Sequence, residues 1–184
     1  MIYQLDYDSD KYKSLYISAL QLVRIMKDKN KSPSDYSLQS NWADVKGSLA
    51  QKKPGAADDI PDITFWNKNP VLSPMAYDVL RETLIAYGEL LPVNINGATW
   101  YVFNILEFGD SFIEQSASKQ KTEDGDARGV ESLSFIEGQL PLVFKTEFDK
   151  RHRVFCNEEF KRLVEQNELS GLVFSADLVK YMHA

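Results

Sequence analysis

The feature that most constrains this chain is the dipeptide Asn96-Gly97, set between two β-prone runs. Leu90-Leu91-Pro92-Val93 precedes it and Thr99-Trp100-Tyr101-Val102-Phe103-Asn104-Ile105 follows. Asn and Gly tolerate positive φ at both central positions of a tight turn, so the stretch predicts a β-hairpin. A helix is predicted just upstream. The Ser73 hydroxyl can accept from the orphan N–H groups of a first turn, and Pro74 at the first helical position loses nothing by lacking its own N–H. Ala76, Val79, Leu80, Thr83, Leu84 and Tyr87 recur at three- and four-residue steps, which makes one core-facing stripe. Gly88 is read as the left-handed residue that closes this helix.

Around this centre the chain alternates short strands with breakers. Ile2-Tyr3-Gln4-Leu5 and Ile63-Thr64-Phe65-Trp66 read as strands, the second ending at Asn67-Lys68-Asn69-Pro70. The apolar run from Leu15 to Met26 fits helix and strand templates in part, and its type stays open. Residues 35–61 are polar and read as loop with short regular pieces, which leaves 1–60 the least defined part of the chain. Gln115 to Gly129 is rich in Ser, Lys, Glu, Asp and Gly and is predicted to be a mobile surface loop. Ser132 to Ile136 and Leu140 to Phe144 read as strands. Val154-Phe155 is strand-like, Asn157 caps a helix carrying Phe160, Leu163 and Val164, and Leu172-Val173-Phe174 returns as a strand. With 184 residues, 43% of them apolar, the chain can bury one real core. The expected fold is therefore a single α+β domain, 1–184, with a largely antiparallel sheet and β-hairpins packed by a few helices.

Charge and composition narrow the function classes. Twenty-one Lys+Arg against 27 Asp+Glu give a net charge of -6, the wrong sign for a generic nucleic-acid binder. The first residues lack a positive n-region and an apolar h-region, and no apolar run reaches the ~18 residues of a spanning helix. A single cysteine, Cys156, excludes an internal disulfide framework and fits a reducing cytoplasm.

No catalytic or cofactor signature is present, and no metal site or cofactor is expected. His152 lies in the basic turn Lys150-Arg151-His152-Arg153 and His183 lies by the end of the sequence. Cys156 would need a base close by, and in extended chain the four-residue step from His152 is roughly 13 Å. A packing cysteine is the better reading. Asp8-Ser9-Asp10 and Asp124-Gly125-Asp126 begin like calcium loops but lack the rest of the oxygen ligands. Trp66 and Trp100 sit in predicted strands and are assigned to the core. Trp42, in the polar Ser40-Asn41-Trp42-Ala43-Asp44, is the aromatic expected to face a partner.

The ordered set Pro61-Asp62-Ile63-Thr64, Leu72-Ser73-Pro74-Met75-Ala76, Gly88-Glu89-Leu90-Leu91-Pro92-Val93, Leu142-Val143-Phe144-Lys145, Val154-Phe155-Cys156-Asn157-Glu158-Glu159-Phe160 and Leu169-Ser170-Gly171-Leu172-Val173-Phe174 spans roughly residues 60–175. In order and spacing it resembles a bacterial family, first catalogued as a domain of unknown function, grouped among the immunity proteins of polymorphic toxin systems. The resemblance implies an antidote that binds a cognate toxin domain and neutralises it by occlusion, with no catalytic residues. Recognition is then expected on the 35–62 and 115–129 stretches. Trp42 would anchor a basic toxin, and Asp58, Asp59, Asp62, Glu123, Asp124 and Asp126 would steer it. Two other classes stay open. One is a small-molecule or enzymatic domain with a pocket between sheet and helix, using Glu89 or His152 as a titrating group. The other is a bacterial scaffold domain.

Overall fold

The computed structural model describes residues 1–26, 36–121, 127–136 and 138–179. Among them are twelve strands and three α-helices in mostly antiparallel sheets, an α+β single-domain fold. The strands are β1 Ile2–Tyr7, β2 Ser14–Tyr16, β3 Lys46–Ala50, β4 Ile63–Trp66, β5 Asn69–Leu72, β6 Gly88–Ile95, β7 Ala98–Ile105, β8 Ser118–Lys121, β9 Ala127–Ser132, β10 Val143–Phe144, β11 Val154–Asn157 and β12 Leu172–Ser175. The helices are α1 Ala19–Ile25, α2 Pro74–Leu84 and α3 Glu158–Gln166.

The central sheet has the order β2-β3-β6-β7-β5-β4, and only β3–β6 is parallel. Its outermost strands approach each other, and Thr64 Oγ1 donates to the Lys13 carbonyl at 2.7 Å. A second sheet runs β10-β11-β1-β12, and β8-β9 is a separate hairpin. The two faces of the central sheet have different covers. Leu72, Phe103 and Ile105 point to one face. There they meet Leu5 and Cys156 of the second sheet, Ala76, Leu80 and Leu84 of α2, and Phe160 and Val164 of α3. Trp66, Val71, Leu91, Val93, Trp100 and Val102 point to the other face, covered by Ile25 of α1 and by Leu38 and Val45. The period-2 side-chain alternation of β7 supplies both cores from one strand.

Local signals hold where they act within a few residues. Ser73 Oγ accepts from Ala76 N at 3.2 Å and Asn157 Oδ1 from Phe160 N at 3.1 Å, so both helix starts are capped as expected. Asn96 and Gly97 take φ of 51° and 88°, the pair of positive angles a two-residue hairpin turn needs. The ambiguous Leu15–Met26 run resolves into both types, a strand (β2) and then a helix (α1).

Several expectations are corrected. Gly88 does not close α2. The helix ends at Leu84 with Ile85 as its cap, and Gly88 opens β6. A Cβ there would collide with the Asn104 carbonyl, so glycine serves close strand approach. The strand at Ile63–Trp66 does end before Asn67 as expected, but Asn69-Pro70 already belongs to a further strand rather than to a breaker. Asn67, at φ 54°, turns the chain into β5, whose Asn69–Leu72 is buried throughout. The 115–129 stretch is no plain loop, since β8 and β9 pair across it. That ribbon lies outside the main cores and leans on a hydroxyl ladder, with Ser118 Oγ 2.9 Å from Ser132 Oγ, so it shows little apolar alternation. Of the two strands read at 132–136 and 140–144, only an isolated bridge at Phe135 and the two-residue β10 form.

Candidate functional site

A groove of about 780 Å³ lies between α2, the 39–42 turn and the first half of β6. Tyr77, Arg81 and Glu82 of α2, with its cap Ile85, form one wall, Gln39 and Trp42 the other, and Gly88 to Pro92 the floor. The two walls lie on opposite sides of the central sheet, so the groove follows the sheet's rim.

Each wall is held by specific contacts. α2 buries Ala76, Leu80 and Leu84, which leaves Arg81, Glu82 and Ile85 on its outward side. Tyr77 is half-buried, stacked on Tyr101 with ring centroids 3.5 Å apart and planes within 9°. The Arg81 guanidinium lies 5.8 Å from the centre of the Tyr77 ring, a cation–π distance. Burial first, and then the neighbouring Tyr77, push the Tyr101 phenol above its ordinary value.

The opposite wall depends on one carboxylate. Glu89 accepts from the Ser37 hydroxyl, from Leu38 N at 3.0 Å and from Asn104 Nδ2 at 3.1 Å. Asn104 Nδ2 also donates to the Tyr36 carbonyl at 3.0 Å. Both carboxylate oxygens of half-buried Glu89 are thus engaged in tying residues 36–38 to the sheet. Trp42 follows in a one-turn 3-10 helix and its cap, and its Nε1 donates to the Pro92 carbonyl at 2.6 Å. Its ring packs edge-on against Trp66 at 5.7 Å. Trp42 is half-buried and lines the groove, whereas Trp66 and Trp100 lie in the core.

The acidic residues singled out in the sequence do not join Trp42. Asp58 is exposed, pairs with Lys13 at 3.1 Å and accepts from Gln51 Nε2 at 2.9 Å. Asp59 is exposed, and its carbonyl accepts from Lys13 N at 3.1 Å. Asp62 is half-buried, and its Oδ2 accepts from Ser170 N at 2.8 Å and Ser170 Oγ at 2.6 Å, fastening β4 to the chain before β12. Glu123, Asp124 and Asp126, like Asp35 and His183, lie outside the described residues. Asp58 and Asp59 therefore stand near Lys13, and their contacts share no residue with those of Trp42.

The remaining titratable groups divide by burial. His152 is exposed. Cys156 is fully buried and its thiol is pushed well above its ordinary value by burial, then by Glu158. That agrees with a packing role. A buried ionic cluster lies at the start of the 145–153 loop. Lys145 is 0% exposed and donates to Asn69 Oδ1 at 2.7 Å. Asp149 accepts from Thr146 Oγ1 at 2.9 Å and from Arg153 N at 2.9 Å, with Arg153 Nη1 at 3.4 Å. Burial raises the Asp149 carboxyl above its ordinary value against the pull of these donors. Among the described residues no group of three or more His, Cys, Asp or Glu side chains is placed to hold a metal.

Of the residues singled out in the sequence, Trp42 and Glu89 line the groove, whereas His152, the alternative to Glu89 for a pocket, does not. Sequence reasoning missed Tyr77, Arg81, Glu82 and Ile85. One signal was available: a proline inside a strand marks an edge, and Pro92 lies on the floor of the groove. No known protein family and no curated protein matches the chain. No helix among the described residues is long and apolar enough to cross a membrane.

Proposed function

We propose that the chain is an immunity-type protein that binds a cognate toxin domain in the cytoplasm and neutralises it by occlusion, without chemistry of its own. The observation that carries this reading is the groove, where Trp42, Tyr77 and Arg81 line one surface. Trp, Tyr and Arg are the residue types in which interface hot spots are enriched. Exposed Ile85 and Pro92 add apolar area beside them. The net charge of -6 favours encounter with a basic partner, and Asp58 and Asp59 contribute to that field from outside the groove. The ordered motifs over residues 60–175 support the same reading.

The test is co-expression with the product of the neighbouring reading frame. Rescue of growth together with co-purification, both lost in Trp42→Ala and Arg81→Ala, supports occlusion through the groove. Rescue without a complex favours an enzyme that reverses damage. A second reading rests on the groove's volume of about 780 Å³, within the range of small-molecule sites. A metabolite that raises the melting temperature of the wild type but not of Trp42→Ala would favour it.

A further inference from the structure

Along an antiparallel strand, alternate residues turn their peptide groups to opposite sides. In β6 the sides are fixed by hydrogen bonds at both ends. Tyr87 O accepts from Leu106 N at 3.0 Å, which turns the odd-numbered residues toward β7. Asn94 N donates to Val45 O at 2.9 Å, which turns the even-numbered ones away from it. β3 covers that far side only at Asn94 and Ile95. Pro92 also lies on it, where a missing N–H is harmless, and its carbonyl is taken by Trp42. Gly88 and Leu90 remain; both line the groove, and on that side neither has a backbone hydrogen-bond partner among the described residues.

An open strand edge flanked by two walls can accept a further strand. The floor from Gly88 to Pro92 would take about five extended residues, roughly 15 Å. The walls then select a side chain. Glu89 has both oxygens engaged, and Arg81 lies over Tyr77. The Glu82 side chain is 86% exposed, and among the described residues its ionic partner is the Arg81 Nε at 3.4 Å, an exposed contact of little strength. A second cation would find the Glu82 carboxylate on one wall and the Trp42 ring on the other.

We propose that an extended segment of the partner protein adds as a strand to the open edge of β6 at Leu90, with a basic side chain between Glu82 and Trp42. This deepens the groove reading above and rests on it, but it is tested without the toxin. The probes are two capped pentapeptides, VTRTV and VTETV, titrated into the ¹⁵N-labelled full chain. VTRTV is expected to shift the Leu90 amide and the Trp42 indole N–H and to slow hydrogen exchange at Leu90 about tenfold at saturation. VTETV is expected to bind at least about tenfold more weakly, and Glu82→Gln to remove most of that preference. Glu82 is exposed on α2, so this variant leaves the fold intact. If the Leu90 amide does not respond, or if shifts gather at the β12 edge, strand addition is wrong. Equal binding of the two peptides overturns the basic side chain. Failure of both peptides while Trp42→Ala still abolishes a toxin complex would leave the groove as an interface recognised in another way.

Discussion

The 145–153 loop and the groove beside β6 both gather charged and polar side chains, and they treat them in opposite ways. In the loop three charges face inward, while Glu147 and Lys150 stay exposed. Lys145, Asp149 and Arg153 are buried and linked to Asn69, Thr146 and the Val179 carbonyl, and Asp110 accepts from Glu147 N and Phe148 N. In the groove Glu89 is engaged in the same internal fashion, but Arg81, Glu82 and the Leu90 peptide group face outward. Buried charge of the first kind fixes one arrangement of the chain, because losing a partner is costly and rearranging is harder still. Polar groups of the second kind add little to stability and remain available to a partner. On the proposed reading, structural charge lies in the loop and recognition in the groove, although the loop is the richer in basic residues.

The strongest way to break this comparison is to cut the loop's network. Asp149→Ala removes the acceptor for Thr146 and for the Arg153 backbone, and a loss of about 3–5 kcal/mol is expected in urea unfolding. A loss under ~1 kcal/mol, the level of an exposed pair, would mean that this charge is not structural. On the other side, Trp42→Ala should weaken a demonstrated partner complex by about 2 kcal/mol or more, some thirtyfold, as measured by calorimetry. An unchanged affinity would remove the groove from the interface. Glu89→Gln keeps the shape but weakens the bonds to Ser37 and Leu38. It should cost about 1 kcal/mol and speed hydrogen exchange at Leu38 more than at Val93.

The pH dependence sharpens the contrast further. Burial raises the folded-state value of Asp149 above the ordinary 3.8. Between those two values the folded chain holds a proton that the unfolded chain has released, so this group's contribution to stability falls as pH rises. Asp149→Asn should remove that fall, so its urea midpoint should decline less than the wild type's as pH is raised from about 4, the unperturbed carboxylate value. A midpoint curve parallel to the wild type's would count against it. The smallest effect is expected at the exposed carboxylates. Asp58→Asn with Asp59→Asn should change stability by less than about 0.5 kcal/mol and only slow association with a basic partner, flattening its salt dependence in stopped-flow measurements.

The amino-acid sequence by itself determined the elements whose causes lie within a few residues. The Ser73 and Asn157 caps each act across three positions, and the Asn96-Gly97 turn acts on its own φ angles. The apolar stripe of α2 and the return strand at Leu172 are legible for the same reason, as is the α+β class that these elements add up to. The type of the 15–26 run, the buried β5 and the true role of Gly88 were not legible, because each is set by a strand brought in from elsewhere. The groove belongs wholly to tertiary structure. Trp42 meets Pro92 across 50 positions and Glu89 holds Ser37 across 52, and no window on the chain contains both members of either pair. The open edge at Leu90 exists only because β3 stops pairing after two residues. Side-chain types can announce that a tryptophan is out of place, but only the paths of distant strands decide what it stands beside.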